Sequence, residues 1–172
     1  FKSVMLLAEK LGKSSKQKIK IVAGGSPTFR VHAMREDVEC SPGTVLLWDY
    51  GYSSALPDME FSHAAILMTR VVSKPGEGLL CLDLGHKAIG SEMPHPRIKL
   101  FDIEEYTAVN HSEEHLVIKT ESAGKYNTGD VLYGIPFHIC PTVDRHDLVY
   151  VVENNKATGV WSVDARKRFL TI

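Results

Sequence analysis

The chain lacks a long apolar run: in its 172 residues no hydrophobic stretch approaches the roughly 20 residues that a membrane-spanning helix needs. It also lacks the basic, apolar and small-residue succession of a secretory signal. Charge of one sign is missing too, since twenty basic residues face twenty-one acidic ones. No basic stripe interleaved with aromatics is present, as a nucleic-acid groove requires. A membrane span and a nucleic-acid partner are therefore not expected. Cysteine is scarce: Cys40, Cys81 and Cys140 cannot pair without leaving one over. That argues against a disulfide framework and makes the cytoplasm the expected compartment. Cys40 precedes Ser41-Pro42-Gly43 and Cys81 lies inside an apolar run. Neither has a basic neighbour at an activating spacing, so both read as packing or surface thiols. There is no internal repeat and no low-complexity tract. An apolar content of 44% is enough for one core, which sets one globular unit, with room for an appendage, as the expectation.

Helical periodicity is confined to the beginning. Phe1, Val4, Met5, Ala8 and Leu11 recur at helical spacing, and Gly12 is a natural stop. A lysine-rich loop leads to the short apolar strand Ile19-Lys20-Ile21-Val22-Ala23, which runs into Gly24-Gly25-Ser26-Pro27-Thr28. From Val31 onward, runs rich in Val, Ile, Leu, Tyr and Thr are broken by Gly, Pro, Asn and Asp, which reads as antiparallel β-structure. Candidate strands are 43–48, 63–72, 78–82, 99–101, 107–110, 116–119, 131–139, 148–153 and 157–163. Glu153-Asn154-Asn155-Lys156 is expected to be a hairpin turn, and short helical or irregular segments are expected around 50–58 and 102–106. The expected fold class is mainly β (α+β), a barrel-like or sandwich-like antiparallel domain preceded by a helix-strand unit.

Two motifs carry chemistry. Gly24, Gly25 and Ser26 close a short strand after a helix, where backbone N–H groups and a hydroxyl can approach a phosphate; a capped Gly-Gly turn accounts for them equally well. His138 and Cys140, if residues 131–140 form one strand, point to the same face and offer an imidazole and a thiolate to one point, two ligand types that zinc prefers. A core histidine beside a buried thiol is the alternative.

The order of motifs is more specific than any one of them. It runs Gly24-Gly25-Ser26-Pro27-Thr28, Ser41-Pro42-Gly43-Thr44 and Asp49, then Asp83-x-Gly85-His86-Lys87-Ala88 and Ser112-Glu113-Glu114-His115. Gly129-Asp130, Pro136-x-His138-x-Cys140-Pro141-Thr142-Val143 and Asp164-Ala165-Arg166 follow. Over nearly all its length the chain resembles the carboxyl-terminal part of the D-threonine aldolase and D-serine dehydratase family. Those enzymes use pyridoxal phosphate on an alanine-racemase-like (β/α)8 barrel followed by a β domain.

The resemblance implies that residues 1–30 are the last helix-strand unit of that barrel and residues 31–172 the β domain. Gly24, Gly25 and Ser26 would cradle the cofactor phosphate. His138 and Cys140 would hold a divalent metal, zinc first and manganese second, that meets the substrate hydroxyl. A Lewis acid there serves either aldol cleavage or dehydration of a D-3-hydroxy amino acid, and cysteine at the second metal position favours dehydration. Asp83, His86, Lys87, Glu114 and His115 sit in family motifs without an assigned role; Asp83 or Glu114 is the physical choice for a carboxylate that orients a metal ligand. The family's Schiff-base lysine lies at the start of the barrel, so no lysine here takes that role and the chain reads as an inactive carboxyl-terminal fragment. The resemblance further implies a homodimer whose barrel partner domain is missing. An alanine-racemase-like racemase needs no metal, and His138-x-Cys140 argues against it. A non-catalytic β domain for dimerisation is the third reading.

Overall fold

A computed structural model describes residues 1–167 and Phe169. The chain divides into two compact units, Phe1–Leu46 and Leu47–Ile172.

In the first unit α1 (Lys2–Ser15) does not stop at Gly12 but runs on to Ser15, ending where Lys16 adopts a left-handed φ of 54°. A glycine inside a helix is tolerated at modest cost, and here the turn is carried across it by two bonds. Lys13 pairs with Glu9 at 2.6 Å, and the Ser15 hydroxyl donates to the Leu11 carbonyl. No residue of α1 is buried within the unit, and Val4, Leu7 and Leu11 remain about half exposed. β1 (Ile21–Gly24) pairs with β2 (Val38–Ser41), and the pairing is parallel, Ile21 opposite Val38 and Gly24 opposite Ser41. This departs from the wholly antiparallel expectation after Val31. A parallel pair needs a crossover, and the sequence between the strands supplies it as a 3-10 turn, Ser26–Thr28, followed by α2 (Phe29–Ala33).

The second unit is built on β3 (Leu67–Ser73), β4 (Leu79–Leu82), β5 (Ile98–Leu100), β6 (Thr107–His111), β7 (Leu116–Lys119) and β8 (Val131–Pro136). They form one curled, fully antiparallel sheet in the order β5-β8-β3-β4-β7-β6, a half-barrel. Alternation decides its faces: Leu80 and Leu82 of β4, Ile98 and Leu100 of β5, and Leu116 and Ile118 of β7 turn inward and are buried with Val71 and Leu132. Each such side chain, fully buried, contributes about 1.5–3 kcal/mol. β9 (Leu148–Glu153) and β10 (Lys156–Ser162) make a separate hairpin. Its two-residue turn places Asn154 and Asn155 at φ 50° and 61°, the left-handed pair that asparagine accommodates. The mainly β, α+β class expected from the sequence is the one observed.

Other boundaries differ from expectation for local reasons. Residues 43–48 are not a strand. A 3-10 turn occupies Thr44–Leu46, the Leu46 N–H donating to the Gly43 carbonyl, and Trp48 takes a φ of 52°. The turn chemistry of Ser41-Pro42-Gly43 outweighs the apolar run that follows it. The strand expected over 63–72 begins only at Leu67. Residues 50–55 are helical, as α3 (Tyr50–Ala55), whereas 102–106 are irregular. The long strand expected over 131–139 stops at Pro136, and α4 (Ile139–Val143) follows.

Candidate active site

The end of β8 decides the geometry around His138. Beyond Pro136 the chain is held by two backbone bonds: the Phe137 N–H donates to the Arg97 carbonyl at 2.7 Å, and the Phe137 carbonyl accepts from the Gly51 N–H at 2.9 Å. His138 then becomes the N-cap of α4, with φ −133°. Pro141 fits there because a proline in the first turn of a helix forfeits no hydrogen bond. That proline is the signal in the sequence that a helix, not a strand, begins after His138.

Asp49 ties this turn to α3. Its buried carboxylate caps α3 by accepting from the Tyr52 N–H at 2.8 Å through one oxygen. Through the other it accepts from the Ile139 N–H at 3.0 Å, the first residue of α4. One carboxylate thus satisfies orphan donors of two helices. Thr142 closes the turn from below, its buried hydroxyl donating to the His138 carbonyl at 2.6 Å and accepting from the Gly90 N–H at 3.0 Å.

His138 and Cys140 therefore do not share a strand face. They stand at the N-cap and in the first turn of a short helix, Cys140 exposed and His138 partly so. The His138 ring is aimed by a residue that sequence reasoning missed: its Nδ1 lies 2.5 Å from Glu92 Oε1. With Nδ1 held by a carboxylate, Nε2 is the nitrogen left for a ligand, the arrangement typical of metal-binding histidines. Burial by itself pushes the Glu92 carboxyl up. Hydrogen bonds from its own backbone and from His138, with the charges of His138 and Arg145, outweigh burial and hold the group below the ordinary carboxylate value. No sequence spacing links positions 92 and 138, so only the fold could reveal the pair. Among the described residues no three His, Cys, Asp or Glu side chains converge as a metal cage. An imidazole and a thiolate are two donors, fewer than the four protein ligands of a structural zinc.

The two motifs whose roles were open meet each other instead. Gly85 passes so close to Glu113 that an added Cβ would lie 2.0 Å from the Glu113 carbonyl oxygen. The His86 and Lys87 N–H groups donate to the Ser112 and Glu113 carbonyls. Lys87 reaches Glu114 at 2.5 Å and Glu113 at 3.3 Å on the surface. Asp83 accepts from the Thr69 hydroxyl and the Arg70 N–H, pinning β3. Neither Asp83 nor Glu114 orients His138; Glu92 does. His115 contributes its N–H to the Ser112 hydroxyl, and His86 faces Arg97 and His111.

In the first unit, Gly24 ends β1 and Gly25 takes a φ of 93°, a conformation open to glycine. Ser26, which follows, is buried and its hydroxyl has no hydrogen-bond partner among the described residues. Thr28 turns its hydroxyl back onto the Gly24 and Gly25 carbonyls. An orphaned hydroxyl beside a glycine-rich turn at a strand's carboxyl end suits an anionic oxygen.

The sequence model of a family described as a putative serine dehydratase domain matches residues 64–152. A D-threonine aldolase from Arthrobacter sp is 31% identical over 119 residues, 69% of this chain and 31% of that protein. The crystal structure of D-threonine aldolase from Filomicrobium marinum superposes with a TM-score of 0.80 at 23% identity, covering 92% of this chain and 44% of that one. D-threo-3-hydroxyaspartate dehydratase from Delftia sp. HT23 gives 0.69 at 14% identity, over 89% and 46%. Structures of a D-threo-3-hydroxyaspartate dehydratase include a cysteine-to-alanine variant in the metal-free form and a histidine-to-alanine variant. The chain spans about a third of the length of the curated aldolase and less than half of each of these solved chains.

Proposed function

Because the chain belongs to the putative serine dehydratase domain family, we propose that it is part of a pyridoxal-phosphate- and divalent-metal-dependent lyase acting on D-3-hydroxy amino acids. In this reading residues 1–30 continue a (β/α)8 barrel together with α2 and β2 of the same compact unit, and the β domain expected over 31–172 begins at Leu47. The barrel carries the lysine to which the cofactor is joined, no lysine of this chain takes that role, and the chain alone is inactive. Two such chains form the dimer. The exposed apolar side chains of α1 support a neighbour that covers them.

The observation that carries the proposal is His138 held through Nδ1 by Glu92, at the start of a helix whose first turn bears Cys140. Imidazole nitrogen and thiolate suit zinc, with manganese acceptable where substrate oxygens fill the remaining positions. The histidine and cysteine substituted in the dehydratase variants lie two positions apart, as His138 and Cys140 do, which supports the same role. The Ser26 hydroxyl and the N–H groups of Gly24 and Gly25 would hold the cofactor phosphate; their chemistry fits it. When bound, the cofactor withdraws electrons from the amino acid's α-carbon and the metal polarises the β-hydroxyl. The chain's own contribution is positional. Glu92 fixes the imidazole, and Asp49 and Thr142 fix the turn that bears both donors; a metal held there by His138 and Cys140 would have positions left for an oxygen of the substrate.

The test is an assay of the complete enzyme with D-threonine and D-serine. Glycine with acetaldehyde marks aldol cleavage, and pyruvate with ammonia marks dehydration. His138→Ala and Cys140→Ala are expected to abolish metal-dependent turnover while cofactor absorbance is retained. Full activity in both variants, with unchanged sensitivity to a chelator, would refute the assignment.

A further inference from the structure

A second cluster of titratable side chains, linked to the His138 turn by the bond from Phe137 N–H to the Arg97 carbonyl, is not used by the reading above. Arg97, at the entry to β5, is half-buried, and the groups it meets are a carbonyl and two imidazoles, with no carboxylate among them. Its Nε donates to the Met93 carbonyl at 2.7 Å. Its Nη1 lies 2.8 Å from His111 Nδ1 and 3.3 Å from His86 Nε2. His111 Nε2 lies 2.9 Å from the Leu84 carbonyl. A carbonyl only accepts, so the proton is on Nε2 and Nδ1 presents its lone pair to the guanidinium. His86 packs edge-on against His111 with ring centres 4.3 Å apart, and the ring centres of His95 and His111 are 5.3 Å apart.

The imidazoles solvate the guanidinium without neutralising it. Burial first, then the charge of His86, with smaller contributions from Arg97 and His95, push His111 down to about 4 despite its bond to Leu84. Burial, with Arg97 and His86, lowers His95 as well. The guanidinium of Arg97 is the permanent charge of the cluster, and no ion pair among the described residues includes it. Of the five guanidinium N–H donors, the two on Nη2 are not used in any of these bonds. A lone half-buried guanidinium is matched by a single carboxylate, which accepts in its plane. A phosphate dianion would call for further cations or a nest of backbone N–H groups, neither of which the cluster has.

We propose that Arg97, with His86, His95 and His111 around it, is a binding site for a carboxylate carried by the hydroxy amino acid substrate. The identity of the ligand rests on the function proposed above; the binding of a carboxylate does not. The segment 92–97 connects the two places. Glu92 holds His138 and Arg97 anchors the cluster, while the Arg97 carbonyl receives the N–H of Phe137, the residue before His138.

The test uses the 172-residue chain and malonate as probe, followed by the histidine ring resonances in proton–carbon NMR at constant ionic strength set with chloride. Malonate is expected to shift the His86, His95 and His111 resonances saturably, and chloride is not. Arg97→Gln should weaken malonate about tenfold or more, the consequence of losing a charged hydrogen-bond pair. His95→Ala, at an exposed position, should weaken it about threefold, a smaller share of the same charged contact. No saturable shift, or the same affinity in a natively folded Arg97→Gln, overturns the proposal. Should Arg97→Gln lose its native circular dichroism, unchanged affinity in His95→Ala overturns it instead. Malonate binding in a chain that binds no zinc at His138 and Cys140 leaves the carboxylate site standing and removes the substrate assignment. Zinc binding without malonate binding does the reverse.

Discussion

Replacing Asp49 by alanine removes one side chain and strands two helices. The carboxylate is 1% exposed and accepts from Tyr52 N–H at 2.8 Å and Ile139 N–H at 3.0 Å. Leaving a buried donor without a partner costs about 1–3 kcal/mol, and losing an N-cap costs about 0.5–2 kcal/mol. These overlap for the Tyr52 bond, so we expect a loss of about 3 kcal/mol for Asp49→Ala, on the scale of two donors stranded at once. Asp49→Asn keeps one acceptor but turns an amide NH2 towards the other N–H, and should cost about 2 kcal/mol. For a domain of this size each kcal/mol lowers the melting temperature by roughly 3 °C, so Asp49→Ala should melt about 9 °C lower. Urea denaturation followed by tryptophan fluorescence measures it well, because Trp48 is fully buried next to Asp49 while Trp161 is largely exposed already. The first residue of α4 loses its anchor, so zinc affinity should fall along with stability. A change below about 0.5 kcal/mol, within the range of an ordinary surface substitution, would refute the double-cap argument.

Three further outcomes follow from the same geometry. Glu92→Gln should weaken zinc binding by about 10-fold or more, as loss of a carboxylate behind a ligating histidine does; isothermal titration with unchanged affinity would show that Glu92 does not position His138. Gly85→Ala should cost about 3 kcal/mol, at the upper end for overpacking, because the new methyl meets the Glu113 backbone rather than a side chain that can swing away. Gly124→Ala, where nothing lies within 4 Å, is the control and should melt with the native protein. His111 is held down to about 4, so between the unfolded value near 6.5 and that value the unfolded chain takes up a proton that the folded chain refuses. Its contribution is fully present above pH 6.5 and is lost as pH falls towards 4. After discounting for solvent screening it is about 1–2 kcal/mol. Comparing His111→Gln with the native chain from pH 7 to pH 4 tests this, and an equal decline in both would contradict it.

The β-rich body was legible because alternation and turn chemistry agree there. Leu80 and Leu82, or Leu116 and Ile118, alternate inward as period two requires, and Asn154-Asn155 demands a hairpin. The boundaries failed where a local device competes with an apolar run. Pro141 and the Asp49 cap convert the end of an expected strand into α4, and the Ser41-Pro42-Gly43 turn replaces an expected strand with a 3-10 turn. The parallel β2 escaped notice because Val38-Glu39-Cys40-Ser41 carries one strongly apolar residue in four. Of the candidate site, His138 and Cys140 stood out by residue type, whereas the strand spacing that paired them is a helix N-terminus in the structure. Glu92, Asp49 and Arg97 were not, since each reaches its partner through a fold contact between distant positions.

The central claim is that His138 and Cys140 together hold a metal ion. Cobalt(II) titration of the 172-residue chain, read by the near-ultraviolet thiolate-to-metal charge-transfer absorbance, tests it directly. The account predicts a saturable band that Cys140→Ser abolishes, that His138→Ala weakens strongly, and that Cys40→Ser and Cys81→Ser leave unchanged. A chain that gives no band, or a band that survives in Cys140→Ser, would contradict it.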